Sequence, residues 1–165
     1  MHLAVGLFTI ICAWKWGDWR NWQKYHATML FFATGNLLYN VLYYDHWLWK
    51  YQSYFLRYHI TSDLLSAFVI LPLTALLFLT NYPTRIRDQW LRIIKYTILY
   101  FIFEVVYATY GALVYDYGWN VWYSLIWDAL MFPLIALHYK KPLLSYMCSI
   151  VAVIAMLLLF PIVFK

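Results

Sequence analysis

The chain has 165 residues, 65% of them hydrophobic and 12% charged, with a formal net charge of +5. An ordinary soluble domain carries about 25% charged residues, so this composition argues against a water-soluble fold and for a membrane domain. The positive charge is dispersed rather than clustered on a soluble scaffold, which speaks against nucleic acid as a partner.

A membrane-spanning helix takes about 20 predominantly apolar residues. Segments of that order are predicted at 2–16, 27–44, 61–80, 93–114, 119–138 and 143–164. The expected fold is therefore all-α: one membrane domain over 1–165, a bundle of about six transmembrane helices.

The first segment is the shortest. Positive charge is absent ahead of its apolar run and arrives after it, at Lys15, Arg20 and Lys24. That is the reverse of a secretory leader, so 2–16 reads as a retained span. The linker KWGDWRNWQKYH repeats Trp16, Trp19 and Trp22 every three residues, the habit of an interfacial helix.

Segment 27–44 brings Gly35, Asn36 and Asn40 into an apolar helix. Behind it lie Asp45 and His46, and HITSD then sets His59 and Asp63 four apart on one helical face. Imidazole and carboxylate ligands at such spacing can hold a metal, which makes these four the metal candidates. Thr61, Ser62 and Asp63 equally suit a helix start. Segment 61–80 adds Ser66 beside Asp63.

In 93–114, the positions Thr97, Tyr100, Glu104, Tyr107 and Gly111 follow a 3,4,3,4 spacing and share one face. In 119–138, Asn120, Ser124 and Asp128 recur every four residues as a second polar stripe. The two segments are joined by a short DYG turn, so antiparallel packing is expected to bring the stripes together. Pro72, Pro133 and Pro161 are expected to kink their helices. His138, beside Lys140 and Lys141, is expected at the interface, and Cys12 and Cys148 read as small buried side chains.

Placing the linkers alternately collects Lys15, Arg20, Lys24, Arg85, Arg87, Arg92, Lys95, Lys140 and Lys141 on one side, against Lys50, Arg57 and Lys165 on the other. Positive short loops stay cytoplasmic, so both termini are expected outside. Trp14, Trp16, Trp47, Trp49, Trp90, Trp119 and Trp122 fall at segment ends, where indole rings anchor to the interface.

A charge at mid-membrane costs roughly 2.5–3.5 kcal/mol on insertion scales, so Glu104 and Asp128 need a partner, a proton or a function. Two close acids without a base cannot both ionise cheaply; one carries a proton or the pair holds a cation. The expected site is a polar pocket open to the outside and closing near Glu104 and Asp128, with Asn36, Asn40, Tyr100, Tyr107 and Ser124 on its walls and Asp63 and Ser66 near its mouth. A cation- or proton-coupled transporter, channel or solute-binding subunit would use these acids directly. A structural or sensory membrane protein would use them as helix glue, and a membrane-embedded metal hydrolase would use His59 and Asp63 with one acid as base. The expected partners are the bilayer and a small cation or solute, with self-association open; the sequence names no cofactor.

The strings WKWGDWRNWQKY, GNLLYN, DLLSAF, GWNVWYSLIWD and MFPLIALHYKKPLL resemble a functionally uncharacterised family of small multi-spanning membrane proteins from spore-forming Gram-positive bacteria. The resemblance covers most of the chain. It implies a bacterial plasma-membrane location and six spans, and it carries no catalytic motif, ligand or partner.

Overall fold

Apolar residues at helical spacing dominate the sequence, and the computed structural model is correspondingly mostly helical. It describes residues 2–52 and 59–161, without the side chains of His59 and Ile60. Arg57, Lys165 and the His59 side chain therefore lie outside the described residues. The elements are α1 (His2–Trp16), α2 (Gln23–Leu42), β1 (Trp49–Tyr51), α3 (His59–Leu65), α4 (Leu71–Leu79), α5 (Ile86–Thr109), β2 (Leu113–Tyr115), α6 (Val121–Lys140) and α7 (Pro142–Leu159).

α3 and α4 form one rod, joined by a π-helical turn over Ser66–Ile70. Pro72 follows two residues later and lacks the N–H that an α-helix would bond to residue 68. Widening the preceding turn lets Leu71 N–H reach Ser66 O instead. Pro133 lies inside α6. Pro161 does not kink a helix as expected: α7 has already ended at Leu159.

Helix α5 begins well before the expected 93, because charge limits an apolar run without stopping a helix. Asp88 in its first turn suits the positive helix start, and Gln89 Nε2 donates to the carbonyls of Pro83 and Thr84. It also ends before the expected 114. Gly111 takes a left-handed φ of 66°, while Gly111 N–H bonds Ala108 O and Ala112 N–H bonds Tyr107 O. This paired closure releases the chain from the helix. Freed of helix, Leu113–Tyr115 pairs antiparallel with Trp49–Tyr51, Trp49 facing Tyr115 and Tyr51 facing Leu113. The all-α expectation is thus corrected by one short two-stranded sheet.

α2 packs on α4 and α6, α1 on α4, α5 on α6, and α6 on α7. Phe78 and Phe132, both fully buried, meet at 5.3 Å in the larger core near the Lys/Arg-rich end. There Arg92 Nη1 donates to Thr80 O at 2.6 Å and Phe78 O at 3.2 Å, covering the C-terminal carbonyls of α4. Lys140 Nζ donates to Gln89 Oε1 at 2.7 Å, and Asp18 N–H donates to the Thr80 hydroxyl. A smaller core of Tyr39, Tyr43, Leu48, Trp119 and Met156 closes the opposite end.

Among the described residues, three helices are long and apolar enough to cross a membrane: Thr61–Leu79, Val121–Lys140 and Pro142–Leu159. α1 is apolar but has 15 residues. α7 turns almost its whole circumference outward, with Leu143 81% and Leu158 78% exposed. Of the expected anchors, Trp14, Trp16, Trp90 and Trp122 are exposed, but Trp119 is buried and Trp49 lies flat on Tyr39 at 3.7 Å. Strand pairing and core packing claim these two rings. Cys148 is exposed, contrary to expectation, and Cys12 is buried. His138 is buried, stacked on Phe31 and bonded to the Thr28 hydroxyl at 3.0 Å.

Candidate polar cavity

The i, i+4 spacing of Ser124 and Asp128 sets both on the buried face of α6, where α5 packs. Opposite them, Glu104 Oε1 accepts a hydrogen bond from the Tyr115 hydroxyl at 2.7 Å. Burial, and then that hydrogen bond, hold the Tyr115 hydroxyl well above the ordinary tyrosine range, so it stays protonated and donates. Ser124 Oγ accepts from Trp119 Nε1 at 2.8 Å, which leaves its own proton for Glu104, within hydrogen-bonding reach. Glu104 thus has at least one oxygen held by a hydrogen bond.

Asp128 is different. It is 6% exposed, close enough to Glu104 for the two carboxyl groups to interact, and its Oδ2 has no hydrogen-bond partner among the described residues. The Tyr107 hydroxyl, Asn36 Nδ2 and the Thr97 hydroxyl are also buried without such a partner. Buried polar atoms in that condition cost about 1–3 kcal/mol each unless something meets them.

Of these groups Asn36, Tyr107 and Asp128, but not Thr97, border one cavity of about 1350 Å³, whose lining also includes Ser66, Thr74, Tyr100, Glu104 and Ser124. Tyr100 donates to the Thr74 hydroxyl at 2.8 Å and ties α5 to α4 across it. Asn40 is not on the lining and donates back to Asn36 O at 3.1 Å. Asp63 lies behind the wall, buried near His2 and Tyr39. Asn120 caps α6, accepting from the backbone N–H of Trp122 and Tyr123, and does not extend the polar stripe. The cavity does not close at Glu104 and Asp128: its lining continues past them to Thr80, Arg92 and Lys95. Lys95, the nearest cation on α5, is nine residues from Glu104, about 14 Å along the helix at 1.5 Å per residue, so no cation from this helix pairs with the acids.

Several wall residues were not singled out by sequence. His2 Nε2 sits 2.9 Å from the Ser66 hydroxyl and 3.0 Å from Ser62 O, and its ring packs on Tyr51 and Tyr107. Tyr39, Trp49, Tyr51 and Trp119 line the same end. Strand pairing between segments sixty residues apart brings Tyr51 there, and no local spacing announces it.

Of the metal candidates, the His59 side chain lies outside the described residues, and Asp63 stands apart from Asp45 and His46. Asp45 is exposed, the His46 ring packs on Tyr117 at 5.2 Å, and Asp63 is buried elsewhere. No group of three His, Cys, Asp or Glu side chains is close enough there to share an ion. No family model, curated protein or solved structure matches the chain.

Proposed function

We propose that the chain is a multi-pass protein of a bacterial plasma membrane, with about six spans and both ends of the sequence outside. Its central cavity would bind a small cation or proton-coupled solute at Glu104 and Asp128, as a transporter, channel or solute-binding subunit. Three helices long and apolar enough to span support the membrane reading, as does the outward apolar surface of α7. α2 and α5 are not among these three, for a reason consistent with it: their polar and charged residues. Their polar residues line the cavity, where a spanning bundle keeps such groups.

The alternation of helix directions leaves Lys15, Arg20, Lys24, Arg85, Arg87, Lys140 and Lys141 at one end of the bundle. The positive-inside tendency makes that end cytoplasmic. Reporter fusions after Arg20, Arg87 or Lys141 should read cytoplasmic, and fusions within 46–52 or after Lys165 external. A cytoplasmic reading at Lys165 would remove the six-span arrangement.

The ligand reading rests on Asp128, a buried carboxyl with an unmet oxygen on a cavity wall, beside a second carboxyl and remote from Lys and Arg. The bonding of Glu104 to Tyr115, with Ser124 beside it, equally suits a helix-gluing role in a structural or sensory protein, and the test separates the two. Purified protein in liposomes, assayed for proton and mono- or divalent-cation flux and binding between about pH 5 and 8, should show one or the other. Neither flux nor binding anywhere in that window would leave the structural reading.

A further inference from the structure

Size is the first guide to the ligand. A cation with six waters fills roughly 200 Å³, taking about 30 Å³ per water. The cavity holds about 1350 Å³ and exceeds the 300–1,000 Å³ usual for a drug-sized molecule.

Chemistry is the second. A dehydrated inorganic cation takes six or more oxygen ligands. Three carboxyl groups line the cavity, but Asp88 lies sixteen residues before Glu104 on α5, at the end where Arg92 and Lys95 stand, so only Glu104 and Asp128 lie together. The hydroxyls are largely engaged: Tyr39 donates to Trp49 O, Tyr100 to Thr74, and Ser124 is held by Trp119 and Glu104. Aromatic rings are plentiful on the same lining. Tyr39, Trp49, Tyr51, Tyr107, Trp119 and Trp127 all line the cavity. Aromatic rings attract weakly hydrated organic cations, above all quaternary ammonium groups.

Shape is the third. The same continuous void reaches the outer surface between α2 and α7, where Gly35, Leu38, Ile150 and Ile154 border it and are exposed. A Cβ added at Gly35 would meet nothing within 4 Å, so the groove is open at that point. An apolar groove running from the lipid-facing surface to a pair of acids matches a molecule with a cationic head and a hydrocarbon body.

We propose, building on the cation-binding reading above, that the ligand is an amphipathic organic cation. Its ammonium-type head lies at Glu104 and Asp128 against the Tyr and Trp rings, and its apolar body lies in the groove between α2 and α7. Among the buried polar atoms on the lining without a partner, Asp128 Oδ2 and the Tyr107 hydroxyl oxygen are the ones that receive the head. The head enters sideways from the bilayer, so its hydrocarbon part stays out of water throughout.

The test uses full-length protein in nanodiscs of zwitterionic lipid, titrated with hexyltrimethylammonium, its uncharged tert-butyl analogue, tetramethylammonium and rubidium, and read by calorimetry and quenching of Trp fluorescence. Empty nanodiscs set the partition background. Hexyltrimethylammonium should bind at least about ten-fold tighter than tetramethylammonium, through the added buried methylenes, and tighter than the uncharged analogue. Asp128→Asn should remove the preference for charge, and Gly35→Trp should bring the hexyl compound down toward tetramethylammonium. Retained helicity by circular dichroism identifies folded variants, and Gly35→Leu serves if the Trp variant does not fold. Equal affinity for the two ammonium compounds, tighter binding of rubidium, or hexyl binding indifferent to Asp128→Asn would overturn the amphipathic assignment. Tight rubidium binding would leave the acid-site reading standing, whereas no binding by any cation removes both.

Discussion

The Glu104→Gln/Asp128→Asn double variant should fold and insert at least as well as the wild type while losing cation binding by about 100-fold or more. The amides keep the size of the carboxyl groups, and Gln at 104 still offers an oxygen to the Tyr115 and Ser124 hydroxyls. What disappears is charge, which costs roughly 2.5–3.5 kcal/mol at the centre of a spanning helix. A hydrogen bond to a charged group contributes about 1.5–3 kcal/mol, so losing two such contacts to a bound cation is worth two decades or more in affinity. The single variants should be unequal. Asp128→Asn removes the carboxyl whose Oδ2 is unmet, whereas Glu104→Gln removes one already held by two hydroxyls, so the first should cost more. Calorimetry on detergent-purified protein measures affinity, and membrane abundance measures insertion. Unchanged binding in the double variant would make the acids helix glue.

The parts of this site that share a helix were readable in the sequence, because helical periodicity is local. Tyr100, Glu104 and Tyr107 on α5, and Ser124 and Asp128 on α6, border one cavity in the structure. Asn120 broke the pattern because a residue at a helix start spends its side chain on capping. Asn40 broke it by bonding its own helix one turn back. The aromatic end was illegible for another reason. Trp49 and Trp119 look like interfacial anchors by position, but pairing of 49–51 with 113–115 folds them inward. Gly111, which its spacing had put on the polar helical face, is left-handed instead, and the helix stops before its apolar run ends. His2 was overlooked because its partners, Ser62 and Ser66, are sixty residues away.

Tyr39→Ala should destabilise the protein by about 3–5 kcal/mol, the range for deleting a large buried aromatic, and Tyr39→Phe by about 1–3 kcal/mol. The hydroxyl of this buried residue is the fixed point of the aromatic end. It donates to Trp49 O and accepts from the N–H groups of Leu48 and Trp49, all at 3.0 Å. Phe keeps the ring, and with it the stack on Trp49 at 3.7 Å, but leaves two amides and a carbonyl at the start of β1 without their partner. Ala removes the ring as well and opens a void beside Tyr43 and Trp49, the rings stacked against it. Because β1 carries Trp49 and Tyr51 into the cavity wall, the loss should be felt in the site too. Near-ultraviolet circular dichroism, which reports the packing of these rings, should melt at a lower temperature in both variants, in the order Ala below Phe below wild type. Coincident melting of Tyr39→Phe and wild type would show that the Leu48 and Trp49 amides do not depend on this hydroxyl. The aromatic end would then be held by ring packing alone.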